Sequence, residues 1–185
     1  MTPDPGVPMH NVNVDAVEQA AAKAAADPDA VTQHVTFDGE WQTSGPQFRA
    51  TIPVPNGQPV VFEADFPPPM GGTGSAPNPL AYCFWGGLAC YAMTYAQEAA
   101  RRGVPLRGLR ARVEADVNLA RALGVGDRPP VDHIDWHLDV DADAPAGVLD
   151  GLKRAADDHC PGAYCIRNPI DLRTTVSAAT APVGH

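Results

Sequence analysis

Pro79-Leu-Ala-Tyr-Cys-Phe-Trp-Gly-Gly-Leu-Ala-Cys-Tyr-Ala-Met-Thr-Tyr-Ala96 is the stretch on which the fold turns. It lies inside a longer run, Phe66 to Gln97, that carries no charged residue. The pattern predicts one apolar helix: Asn78 is a good N-cap, Pro79 suits the first helical position, and Gly103 follows the charged end Glu98-Ala-Ala-Arg-Arg102. About 18 apolar residues would reach the lower limit of a membrane span. This run is a single segment interrupted by Gly86-Gly87, and its surroundings alternate like a water-soluble sheet. The expectation is therefore a buried central helix and no membrane partner.

On either side of that helix the period changes to two. Upstream, Phe48, Ala50 and Ile52 form one alternating apolar set and Val60, Phe62, Ala64 and Phe66 another, with the turn signal Pro55-Asn56-Gly57 between them. His34 to Trp41 adds a further strand. Downstream, Leu109 to Val117 and Ile134 to Val140 each keep one wet face, which indicates antiparallel pairing. A second amphipathic helix is expected from near Ala144 to Asp158 with Asp143 as its cap, then a last strand over Ile170 to Val176. Strands, helix, strands, helix, strand is an α+β order: antiparallel sheets around a buried central helix.

The 185 residues are expected to form one main domain over 46–178, preceded by a disordered arm (1–13) and a helix-and-strand extension (14–45), and followed by a tail (179–185). The Ala-rich run Asp15 to Ala26 supplies the extension's helix. A formal charge of -9 and a pI near 4.9 exclude nucleic acid as a partner, since a phosphate backbone needs clustered positive charge. The first residues lack the basic and apolar regions of a secretory signal, so the expected location is cytoplasmic. Gly71-Gly-Thr-Gly74 lacks the Lys-Ser/Thr of a phosphate loop.

The four cysteines then read as free thiols, redox groups or metal ligands. Cys83 and Cys90 share a helix face but stand about 10 Å apart, beyond disulfide reach. Gly86-Gly87 between them points to close backbone packing against another element. His159, Cys160 and Cys165 together with Cys90 offer soft ligands for zinc. Against that, Cys-x4-Cys is a poor zinc spacing, and His133 and His137 sit on the wet face of a strand.

Asn78-Pro79, the small-residue run, Ala89-Cys90-Tyr91 and the downstream His159-Cys160-Pro161 at a helix end resemble the OsmC/Ohr family, osmotically inducible protein C and the organic hydroperoxide resistance proteins. The similarity runs from about Phe48 to Val176. It implies an OsmC-like fold in an intertwined homodimer, with Cys90 as the peroxidatic and Cys160 as the resolving thiol. The implied reaction is thiol-dependent reduction of a small-molecule organic hydroperoxide, with a lipoyl-type dithiol as reductant and neither cofactor nor metal. Phe84, Tyr91 and Arg49 are the candidate substrate-binding residues. Leu80 stands where the family's peroxidases carry Glu, and Arg49 is the nearest candidate for the Arg that partners it. The alternative is an OsmC-like ligand- or metal-binding protein without peroxidase turnover.

Overall fold

The structure, a computed structural model, describes residues 9–178. Most of the expected arm and the whole of the expected tail lie outside the described residues. In chain order the elements are α1 (Val14–Ala26), β1 (Asp38–Trp41), β2 (Phe48–Ile52), β3 (Val60–Ala64), α2 (Pro79–Arg101), β4 (Leu106–Glu114), β5 (Asp135–Ala142), α3 (Ala146–His159) and α4 (Pro161–Arg167). The strands form two antiparallel sheets, β1-β2-β3 and β4-β5. Ala50 stands opposite Phe62 in the first, and Val113 opposite Trp136 in the second.

Asn78 begins α2 as its side chain allows, Oδ1 accepting the Leu80 N–H at 2.9 Å. One face of α2 packs into the core through Tyr91, Tyr95 and Ala99, against Leu152 and Ala156 of α3. The alternation along β5 lays Trp136, Leu138 and Val140 on the same cluster. The α2 helix is nevertheless not buried on every side within one chain. Trp85 is 58% and Met93 72% exposed, because no other element covers that face. The β1-β2-β3 sheet is equally bare: Trp41, Phe48, Val60 and Val61 all reach solvent.

Several boundaries differ from the sequence reading. The α3 helix starts at Ala146 with Pro145 in the cap position and no side-chain cap, so Asp143 is not its cap. Pro145 accounts for this, since the residue before a proline is pushed out of the helical region and Ala144 cannot join the helix. The β4 strand stops at Glu114, and Val117 makes only an isolated bridge to Val131. Ile170 to Val176 forms no strand, since no strand among the described residues lies beside it to complete a ladder. The α4 helix was not expected at all.

Within the expected arm, Met9 and Val12 close a turn by mutual backbone hydrogen bonds. The His10 ring docks that turn on the start of β4, with Nε2 2.8 Å from the Val104 carbonyl and 3.1 Å from the Leu106 N–H. Among the described residues no helix is long and apolar enough to cross a membrane.

Candidate functional site

Two glycines let α2 and α4 approach each other. A Cβ on Gly87 would lie 2.6 Å from Ile166 Cδ1 and 2.9 Å from Trp136 Cζ2. A Cβ on Gly162 would lie 2.9 Å from Cys90 Cβ and 3.2 Å from its Sγ. Gly86, by contrast, has open space around it, so only one member of the Gly86-Gly87 pair carries the close packing.

This approach sets Cys90 beside Cys160, near enough for the Cys160 thiol to bear on the ionisation of Cys90. Cys160 is 1% exposed and is also the N-cap of α4, its Sγ accepting the Ala163 N–H at 3.3 Å. The neighbouring Gly162 N–H donates to Cys90. Two successive amides of one helix start therefore serve the two sulfurs. Burial pushes the Cys90 thiol up; the Gly162 amide works against that rise, and the Cys160 thiol adds to it. All four cysteines are free. Cys83 and Cys165 are exposed, and Cys165 is near enough to act on Cys90 electrostatically.

Tyr91, next to Cys90, turns the other way. Its hydroxyl donates to Asp157 Oδ1 at 2.9 Å, and its ring packs against Trp136 with centroids 5.4 Å apart. Burial pushes the Tyr91 hydroxyl strongly up, and Asp157 reinforces the shift. Burial works to raise the Asp157 carboxyl as well, but hydrogen bonds from Lys153, Tyr91 and Arg167 outweigh it and hold the group below the usual range. A cavity of about 450 Å³ opens here, walled by Tyr91, Ile134, Trp136 and Ile166 and flanked by Lys153 and Arg167. The Trp136 indole N–H is buried with no acceptor among the described residues.

The other expected substrate contacts stand elsewhere within one chain. Phe84 lines a separate hollow with Leu80, Val117 and Leu119. Arg49 lies on the β2-β3 hairpin, paired with Glu63 through its Nε at 3.0 Å. Among the described residues no group of three or more His, Cys, Asp or Glu is arranged to hold a metal ion.

Two buried acids escaped the sequence reading. Asp65, 2% exposed, follows β3 and draws the turn before α2 around itself. Its Oδ2 accepts from both the N–H and the hydroxyl of Thr73 and of Ser75, at 2.6 to 3.1 Å. Those bonds, the Thr73 hydroxyl first, hold its carboxyl far below the usual range. Glu98, 4% exposed, accepts from His159 Nδ1 at 2.9 Å. The spacing of Asp65, Thr73 and Ser75 was a usable signal for the first, as an acid followed by hydroxyl residues in a Gly-rich turn. Glu98 looked like part of a solvated helix end.

Antiparallel sheets and an apolar helix that sets one thiol against another define a mixed α/β protein in which a half-buried cysteine faces a buried one. The chain belongs to the OsmC-like protein family, whose model matches residues 72–175. The fold is shared with the OsmC-like protein of Mycoplasma pneumoniae at 13% identity, covering 74% of this chain and 89% of that one with a TM-score of 0.57. It is shared with an osmotic stress-induced and detoxification response protein of Psychrobacter arcticus at 16% identity, covering 72% and 90% with a TM-score of 0.57. An organic hydroperoxide resistance protein OsmC of Legionella pneumophila is similar at 17% identity, covering 74% and 92% with a TM-score of 0.51. No curated protein matches the sequence.

Proposed function

We propose that the protein is a thiol peroxidase that reduces organic hydroperoxides through Cys90 and Cys160. The observation that carries this reading is the adjacency of the two thiols under the amides of Gly162 and Ala163. Cys90, the more accessible of the two, is the attacking group. Its thiolate takes the distal peroxide oxygen: an S–O bond forms, the O–O bond breaks, and the organic half leaves as an alcohol once protonated. The sulfur is oxidised to a sulfenic acid and the peroxide is reduced. Cys160 then attacks the sulfenic sulfur, an S–S bond replaces the S–O bond, and water leaves with the Cys160 proton. An external dithiol of lipoyl type reduces the disulfide by exchange.

The Gly162 amide supports negative charge on the Cys90 sulfur. Burial opposes it, and among the described residues no cation acts on Cys90 to offset that burial. We assign that role to Arg49 of a second copy in a homodimer, which also covers the bare faces of α2 and of the first sheet. Tyr91 and Phe84 are the proposed apolar contacts of the substrate's organic group.

Mass spectrometry of protein treated with one equivalent of an organic hydroperoxide tests the reading. A Cys90-Cys160 disulfide is expected in wild type, and a trapped Cys90 sulfenic acid in Cys160→Ser. Unmodified Cys90 after that treatment would sink the proposal.

A further inference from the structure

Glu98 lies eight residues beyond Cys90 on α2, and the thiol chemistry makes no use of it. A carboxylate this deeply buried needs partners, and it has three: His159 Nδ1 at 2.9 Å, and Arg101 and Arg102 at 3.4 Å each. Arg101 passes the connection to α1 through Glu18, with Nε 2.7 Å from Oε1. Arg102 passes it to α3 through the Gly151 carbonyl at 3.3 Å. His159 is the residue immediately before Cys160. Glu98 thus ties the helix that carries Cys90 to the turn that carries Cys160.

The α4 helix has seven residues, too few to be stable alone. After Arg167 the described chain has no regular structure and is exposed to its end, so nothing downstream pins it. The Arg167 to Asp157 pair joins α4 only to α3, which would move with it. Attachment to α2 comes from the close packing of Gly87 on Ile166 and of Gly162 on Cys90, the burial of Cys160 and Ala163, the Tyr91 to Asp157 hydrogen bond and the Glu98 to His159 pair. The last of these lies closest in sequence to the resolving sulfur.

We infer that Glu98 is a positioning residue for disulfide formation, holding Cys160 beside Cys90 through His159. The inference rests on the dithiol reading above. An intramolecular attack depends steeply on prior placement, so a small displacement of the Cys160 turn slows the second step. The first step, at Cys90, meets that turn only through the Gly162 amide and is slowed less than the second.

The test uses the full chain as wild type, Glu98→Gln, His159→Ala and His159→Arg. Each is mixed rapidly with tert-butyl hydroperoxide and quenched with a sulfenic-acid trap and an alkylating agent, then read by mass spectrometry. Glu98→Gln and His159→Ala are expected to slow formation of the Cys90-Cys160 disulfide about tenfold or more, and formation of the Cys90 sulfenic acid far less. His159→Arg keeps a hydrogen-bond donor toward Glu98 and is expected to recover most of that loss. His159 is largely exposed, so its replacement leaves the core intact if Glu98→Gln does not fold.

A parallel arm replaces the peroxide with diamide. There Cys90 adds to the N=N bond and Cys160 displaces the reduced hydrazine to give the same disulfide. This arm decides the role of Glu98 even where wild type fails to react with peroxide, an outcome that would remove the peroxidase reading alone. Equal disulfide rates in wild type and His159→Ala with diamide would overturn the inference. So would an equal slowing of both steps in the peroxide arm, which marks a purely structural role.

Discussion

Gly162 and Cys90 touch so closely that a single methyl group on Gly162 would sit 3.2 Å from the Cys90 sulfur. The nearest atom is the Cys90 Cβ at 2.9 Å, which is fixed to its backbone and cannot swing aside, with the Gly87 Cα at 3.5 Å beside it. Gly162→Ala is therefore expected to push α4 away from α2, at about 1–3 kcal/mol of stability. Cys90-Cys160 disulfide formation should slow as well. Chemical denaturation and the mass-spectrometric assay check both; a variant with wild-type stability and disulfide rate would mean that the helices have slack.

Cys90 offers a prediction with a definite sign. Its thiol is raised by burial, so the reactive thiolate is the minor form near neutral pH and grows as pH rises. In Arg49→Ala the rate of Cys90 alkylation should climb about tenfold per pH unit from about 7 to 9 without levelling. Wild type, with Arg49 of the proposed second copy beside the sulfur, should level off at lower pH. Identical profiles would remove Arg49 from the site.

Tyr91→Phe tests the link between α2 and α3. It deletes the 2.9 Å bond to Asp157 while leaving the ring against Trp136 and the Lys153 and Arg167 contacts of Asp157 in place. A loss of about 1–2 kcal/mol is expected, since the acceptor is charged but keeps other donors. The measurement is the urea midpoint at constant m-value; no change would show that the hydroxyl is dispensable.

Asp65 predicts an acid dependence. Its folded carboxyl lies below the ordinary carboxylate value, so its contribution is complete above about pH 4 and is lost as pH falls through the lower folded value. Asp65→Asn should lower Tm by several degrees at neutral pH, with the gap to wild type narrowing on acidification. Calorimetry across that range decides it, and a gap independent of pH would contradict the assignment.

Much was legible in the sequence because it depends on local chemistry. Asn78-Pro79 starts a helix wherever it occurs in such a context, and the two-residue alternation from Asp135 to Val140 makes a half-buried strand whatever it faces. The pairing of Phe48-Ile52 with Val60-Ala64 followed from the turn between them. Even the start of α3 could have been placed correctly from Pro145. By contrast, Ile170 to Val176 has the alternation of a strand, but a strand exists only beside another, and the described residues provide none.

What only the tertiary structure decided is which side chains meet. The sequence alone showed that Cys83 and Cys90 cannot pair; it could not show that Gly87 and Gly162 bring α2 and α4 together, or that consecutive α4 amides serve Cys90 and Cys160. Neither Glu98 nor Asp65 was singled out from the sequence, because His159 is distant along the chain and the Thr73 and Ser75 donors are hidden in a turn. Burial and partnership are properties of the packed chain: periodicity fixes which face of an element is apolar, whereas only the fold determines what that face, and any charge on it, finally touches.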